Sequence, residues 1–271
     1  MKYYLNNPKS NNGIGVSLEG AELLDATKLD YPKFFSELAP EDEVVLIGGD
    51  GTINYLINHV DTDNLKNNVY ILANGTGNDF LHDIEEPEDK EVLLNPYIKD
   101  LPTVKVKGKS YKFINNMGFG IDGYCCETAD KIKQKKPSKK INYAGIAIKG
   151  LLFFFKPRSA VVEVDGKKYK FDKVWMAPTM KGRFYGGGMM AAPGQDRTNG
   201  KLTLVISTCK WRLKLLKIFP TYFKGEHIKY DKIVKIFTGD NIKVKFAKPC
   251  AAMIDGETVL DVTEYSCTTA Q

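Results

Sequence analysis

Cysteine, histidine and tryptophan are scarce in this 271-residue chain, which has five, three and two of them. Cys125, Cys126, Cys209, Cys250 and Cys267 form no C-x-x-C pair, and His59, His82 and His227 are scattered. A disulfide framework or structural zinc site is therefore not expected, and a reduced, cytosolic chain is. Long apolar runs are also missing. The nearest approach, Ala144 to Phe155, is short and interrupted by Lys149, so no membrane-spanning helix is expected. The N-terminus, MKYYLNNPKS, lacks an apolar core and does not read as a secretory signal. With 43% hydrophobic and 27% charged residues, wholesale disorder is excluded, and the length suits one large domain or two modest ones.

Acidic residues are sparse in the second part of the chain. Residues 1–98 carry 6 lysines and 18 carboxylates, whereas residues 99–271 carry 33 basic and 15 acidic side chains. The net +6 thus hides an acidic part of −12 and a basic part of +18. This asymmetry predicts two domains with different tasks, the basic one facing an anionic partner.

In the first hundred residues, short apolar runs alternate with helical patterns. Strands are predicted at 2–5, 22–26, 43–47 and 69–73, and helices at 31–38 and 53–60. That alternation predicts a parallel α/β sheet, with ligands bound beyond the carboxyl ends of the strands. Beyond residue 99 the pattern becomes mostly antiparallel β, with helical insertions near 122–135, 140–155 and 211–224. VKVKGKSYKF (104–113) and VEVDGKKYKF (162–171) agree at seven of ten positions and read as hairpins with a turn glycine.

Three segments carry candidate chemistry. Gly48-Gly49-Asp50-Gly51-Thr52 follows the strand VVLI. Its glycines leave N–H groups open to a phosphate, Asp50 suits Mg²⁺, and the following helix N-terminus adds donors. A tight strand-to-helix turn would look the same. Gly75-Thr76-Gly77-Asn78-Asp79, after VYILA and Asn74, repeats the pattern 29 residues on, and the pair predicts a nucleotide-phosphate site. Asp255-Gly256-Glu257 offers two carboxylates for proton transfer, although Asp-Gly is also a common hairpin turn.

Together with Asn7-Pro8-Lys9-Ser10 and the block Gly186–Met189 with Ala192-Pro193, these segments resemble the diacylglycerol kinase catalytic family, soluble bacterial lipid kinases related to sphingosine kinases. They stand in family order across nearly the whole chain. The resemblance implies an N-terminal α/β nucleotide-binding domain at 1–98, rejoined by about 262–271, and a C-terminal antiparallel β-sandwich at 99–261 carrying the lipid site. It implies ATP as donor. Nucleotide contacts would come from Asn7, Lys9, Thr27, Gly48, Gly49, Asp50, Gly51, Thr52, Gly75, Thr76, Gly77 and Asp79. Asp50, Asp79 and Asp100 would join a Mg²⁺–water–phosphate network, and Asp255 would be the general base supported by Glu257. Two departures stand out. Residues 11–20 are short for the family's first helix, and Asn199 replaces a metal-ligating Asp, leaving Asp196 as the candidate ligand there. Lys181 and Arg183, before the glycine block, are candidates to touch an anionic group.

The basic part suggests where such an enzyme works. Residues 131–140 hold six lysines and no acid, which reads either as a solvated loop or as a dock for anionic lipid. Leu151 to Phe155 and Lys210 to Lys224 are further apolar–basic candidates, although core packing is the commoner use of such residues. The expectation is a cytoplasmic protein peripheral to the inner membrane face, with a lipid substrate, no nucleic-acid partner and room for a homodimer through a sandwich edge. Two other readings stay open: a kinase of a soluble substrate such as NAD, and a degenerate fold that binds lipid or nucleotide without catalysis.

Overall fold

The computed structural model describes residues 1–10, 20–136 and 139–270. The expectation of a shortened first helix falls on residues 11–20 and, apart from Gly20, lies outside the described residues, as do Pro137 and Ser138 of the lysine-rich segment.

The first layer contains β1 (Lys2–Asn6), β2 (Leu23–Asp25), α1 (Tyr31–Ser36), β3 (Glu43–Gly48), α2 (Asp50–His59), β4 (Asn68–Ala73), α3 (Asp79–Ile84) and β5 (Val92–Leu93). The sheet order is β2-β1-β3-β4-β5. The first four strands run parallel and β5 antiparallel to β4. The central strand β3 is a continuous apolar run, Val44 to Ile47, buried throughout as a strand covered on both faces must be. The Asp30 carboxylate caps α1 by accepting the Lys33 N–H, and Pro32 fits the first turn. Ile53, Leu56 and Ile57 turn one face of α2 onto the sheet.

The second part begins with β6 (Thr103–Val106), β7 (Lys109–Lys112), β8 (Asn116–Phe119), α4 (Ile121–Lys135), α5 (Tyr143–Lys149) and a π-helical turn, Gly150–Phe154. It continues through β9 (Arg158–Val164), β10 (Lys167–Met176), β11 (Thr179–Met180), β12 (Phe184–Tyr185), β13 (Met189–Met190), β14 (Leu202–Thr208), α6 (Arg212–Ile218), β15 (Val234–Gly239), β16 (Asn241–Ile254) and β17 (Glu257–Thr268). Ten of these strands form one antiparallel sheet, and β9 pairs with β16 as well as β10, so the sheet closes on itself around an apolar core. The architecture is a mixed α/β protein with a C-terminal sandwich-like domain, as expected.

The two similar ten-residue segments are both hairpins. Lys107-Gly108 and Asp165-Gly166 take positive φ at both turn positions (50° and 76°, 46° and 81°), the geometry that matches strand twist in two-residue loops. One expectation is corrected. Residues 262–268 do not return to the first layer, because β17 lies between β16 and β6 in the larger sheet. Val262, Tyr265 and Cys267 are buried in that sheet's core and hold the strand there. No helix among the described residues is long and apolar enough to cross a membrane.

Candidate active site

The two glycine loops sit side by side at the carboxyl ends of β3 and β4, because those strands are parallel neighbours. A Cβ on Gly49 would stand 2.8 Å from the Cα of Gly75, so the loops pack backbone on backbone. The Asn74 N–H donates to the Gly48 carbonyl at 2.7 Å, and Asn7 Nδ2 donates to Thr52 Oγ1 at 3.0 Å, drawing the end of β1 into the same corner. The Gly75–Asp79 loop also touches the second part of the chain, since a Cβ on Gly77 would stand 3.3 Å from the Gly187 Cα.

Asp50, on the first turn of α2, accepts the Asp79 N–H on Oδ2 at 3.0 Å. Its Oδ1 accepts the Phe80 N–H at 3.0 Å and Asn115 Nδ2 at 2.9 Å. Asp79 in turn accepts the N–H groups of Gly187 and Gly188 at 2.9 and 2.7 Å. Burial, then the neighbouring Asp50 charge, push the Asp79 carboxyl up to about 6.

Asp255 and Gly256 form the two-residue turn between β16 and β17, with φ of 45° and 95°. The hairpin and the candidate site are thus one feature. The buried Asp255 carboxylate accepts four donors: the N–H groups of Ile114 (2.7 Å), Asn115 (2.8 Å) and Asn116 (2.8 Å), and Asn54 Nδ2 (3.0 Å). Burial raises its pKa, and these four bonds oppose the rise. Glu257 is different. Its residue is exposed, and its carboxylate faces the first glycine loop, with Oε1 3.6 Å from where a Cβ on Gly51 would lie. Burial of the carboxyl, then the charge of Asp130, raise its pKa.

A cavity of about 900 Å³ joins these groups. Its wall includes Asn7, Lys9, Thr27, Gly49 to Thr52, Gly75 to Asp79, Asp255 and Glu257. Gly48 lies behind that wall. A side chain there would collide with Thr52 Oγ1, so this glycine serves loop packing. The same cavity continues along apolar side chains, among them Leu151, Trp175, Met189, Leu215 and Phe219.

Asp100 and Asp196 are not brought to the cavity. Asp100 has left-handed backbone (φ 48°), donates its N–H to Asp63 and lines a separate hollow of about 300 Å³ with Lys181 and Arg197. The exposed Asp196 carboxylate accepts the Thr198 N–H and hydroxyl at 2.8 and 2.7 Å. Arg183 is also committed elsewhere, to Asp83 and Glu85. Among the described residues, no group of three or more His, Cys, Asp or Glu side chains is placed to hold a metal.

Sequence reasoning missed several participants. The Asn115-Asn116 pair supplies donors to both Asp255 and Asp50, and its adjacent amides directly after Phe113 and Ile114 were the available signal. Asp83, buried on α3, binds Arg197 Nε at 2.6 Å and Arg183 Nε at 3.0 Å, tying α3 to the second part of the chain. Asp122 opens α4 on the cavity wall. Its Oδ1 accepts the Tyr185 hydroxyl at 2.8 Å, its Oδ2 has no partner, and burial pushes the carboxyl up to about 7.

Comparison with known proteins agrees with this construction. Residues 17–105 match the diacylglycerol kinase catalytic domain, and residues 115–266 match the YegS C-terminal NAD kinase beta sandwich-like domain. The diacylglycerol kinase of Mycobacterium tuberculosis (strain ATCC 25618 / H37Rv) is 24% identical over 200 residues, covering 71% of this chain. This chain spans 63% of that relative's length. The diacylglycerol kinase of Bacillus subtilis (strain 168) is 25% identical over 227 residues, covering 80% of this chain and 71% of its own. A crystal structure described as a diacylglycerol kinase from Bacillus anthracis str. Sterne shares the fold, with a TM-score of 0.66 at 16% identity over 99% of this chain and 94% of that one. With both halves matched in order, and the sandwich model alone spanning more than half its length, the chain belongs to the lipid-kinase family that pairs a diacylglycerol kinase catalytic domain with this sandwich-like domain.

Proposed function

We propose that the chain transfers the γ-phosphate of ATP to the hydroxyl of a lipid alcohol, diacylglycerol or a related lipid. The observation that carries this reading is the single cavity whose wall holds both the glycine loops and the apolar arm. Amides in the two loops and the N-terminus of α2 suit triphosphate oxygens, and Lys9 and Thr27 line the same wall. The apolar arm suits acyl chains.

Mg²⁺ fits the pair Asp50 and Asp79. Burial and then the Asp50 charge raise Asp79, a cation would relieve the second, and with no third ligand among the described residues the remaining positions would fall to water and phosphate oxygens. Held by these two carboxylates, the ion would neutralise phosphate charge. The chain's own groups supply the positioning. Asp255, with both oxygens engaged by N–H donors, fixes the β16–β17 turn against Ile114 to Asn116 and Asn54. This supports a revision of the expected roles: Glu257, exposed beside the Gly51 loop and with a raised pKa, accepts the hydroxyl proton, and Asp255 orients it.

The deciding experiment is transfer of labelled γ-phosphate to a panel of lipid alcohols in mixed micelles, with NAD in parallel. Labelled lipid is the expected product. Labelled NAD with unlabelled lipid would replace this reading with a soluble-substrate kinase. Nucleotide binding with no labelled product would replace it with a non-catalytic one.

A further inference from the structure

Two segments that wall the apolar arm also turn large apolar side chains into solvent. In the π-helical turn, Leu151 lines the cavity while Phe153 and Phe154 are 69% and 64% exposed. At α6, Leu215 lines the cavity while Trp211 and Leu213 are 73% and 74% exposed. One guanidinium joins the two segments. Arg212 Nη1 donates to the Leu151 carbonyl at 2.7 Å and Nη2 to the Phe155 carbonyl at 2.9 Å, with its carbon 5.0 Å from the Trp175 ring. The outward side chains are therefore held on two prongs of fixed spacing.

The charge along the chain on either side of each prong is of one sign. From Lys131 to Val162 the sequence has nine lysines and arginines and no carboxylate, and from Thr198 to Gly225 it has six and none. Exposed aromatic side chains flanked by lysine and arginine suit the boundary between headgroups and acyl chains, and the uniform positive charge suits an anionic leaflet. A second copy of this chain would bring the same charges face to face across a symmetric contact, which is unfavourable.

We propose that Phe153, Phe154, Trp211 and Leu213 form a two-pronged wedge that inserts into the interfacial layer of an anionic lipid bilayer. Arg212 keeps the prongs in register, and the cavity's apolar arm, walled by the same two segments, is held next to the membrane. What then enters the arm rests on the lipid-kinase reading above; the docking itself does not.

The two tryptophans allow a direct test, because Trp211 is exposed and Trp175 is only 1% exposed. Vesicles of phosphatidylcholine with phosphatidylglycerol should shift Trp211 emission to the blue, and lipids brominated in the acyl chains should quench it. Trp211→Phe should remove the blue shift, and any quenching left in that variant would come from Trp175 on the wall of the apolar arm. The double variant Phe153→Ser/Phe154→Ser should partition onto these vesicles about tenfold or more weakly, with unchanged thermal unfolding and unchanged transfer to a dispersed short-chain lipid alcohol. Arg212→Ala, which frees the prongs, should also weaken partition. Wild-type partition in the double variant, unquenched Trp211 in vesicle-bound protein, or equal binding to pure phosphatidylcholine would each overturn the proposal. If wild-type protein labels no lipid but its vesicle binding still depends on Phe153 and Phe154, the docking stands and the kinase reading falls.

Discussion

The Asp79 amide donates to the Asp50 carboxylate at 3.0 Å, and the Asp79 carboxylate then receives the amides of Gly187 and Gly188. Asp50 on α2, the second glycine loop and the glycine block of the sandwich are thereby linked in series. Asp50→Asn would turn an amide NH₂ toward donors that need an acceptor. The variant should lose the thermal stabilisation that Mg·ATP gives the wild type and lose at least about 100-fold in turnover, as expected when a group that positions a phosphoryl-transfer site is misplaced. Thermal shift assays with and without Mg·ATP, beside turnover, check it. Full stabilisation by Mg·ATP would refute the role.

Asp255 and Glu257 separate cleanly by their surroundings. Glu257→Gln keeps the shape and removes the basic oxygen, so kcat should fall by about 10² to 10⁴, the usual worth of a general base, with nucleotide affinity retained. Asp255→Asn replaces an acceptor of four N–H bonds with a group that itself donates. It should lower folding stability by about 1–3 kcal/mol for each buried donor left unpaired. Denaturant unfolding beside kinetics distinguishes the two. A stable Asp255→Asn protein with kcat abolished would restore Asp255 as the base.

The glycine loops were legible because their chemistry is local. A strand, a glycine turn and a helix start lie within ten residues, and one acid in each loop carries the expectation. The partners of those acids were not legible. Asn115 reaches Asp50 across 65 positions and Asp255 across 140, and no local pattern marks an asparagine for that use. Asp100 illustrates the converse. Its place near the crossover between the layers suggested a ligand, but a left-handed backbone and a bond to Asp63 turn it away. Likewise, the exposed Phe153 and Trp211 gain meaning only once Arg212 joins their segments, which sequence separation conceals.

Asp83 is the buried joint between α3 and the sandwich. Its carboxylate meets Arg197 and Arg183, and Arg197 continues to Asn115 Oδ1 at 3.0 Å. Removing one partner of a buried ion pair leaves uncompensated charge, so Asp83→Ala should cost about 3–5 kcal/mol. Because Arg197 also holds Asn115, a ligand of Asp50, the variant should bind nucleotide more weakly even where it remains folded. Unchanged denaturant midpoint and nucleotide affinity would contradict this.

Asp122 provides the pH signature. Burial raises its carboxyl from the ordinary 3.8 to about 7, the Tyr185 hydroxyl bond opposing the rise. The folded protein therefore holds a proton there that the unfolded chain releases near 3.8, so this residue's contribution to stability falls as pH rises from about 4 to about 7 and is lowest above that. Asp122→Asn should remove that slope and stabilise the protein at pH 8 by at most about 4 kcal/mol, given roughly 1.4 kcal/mol per pKa unit. Denaturant unfolding of the wild type and the variant from pH 4 to 8 checks it. A flat wild-type profile would show that Asp122 is ionised throughout.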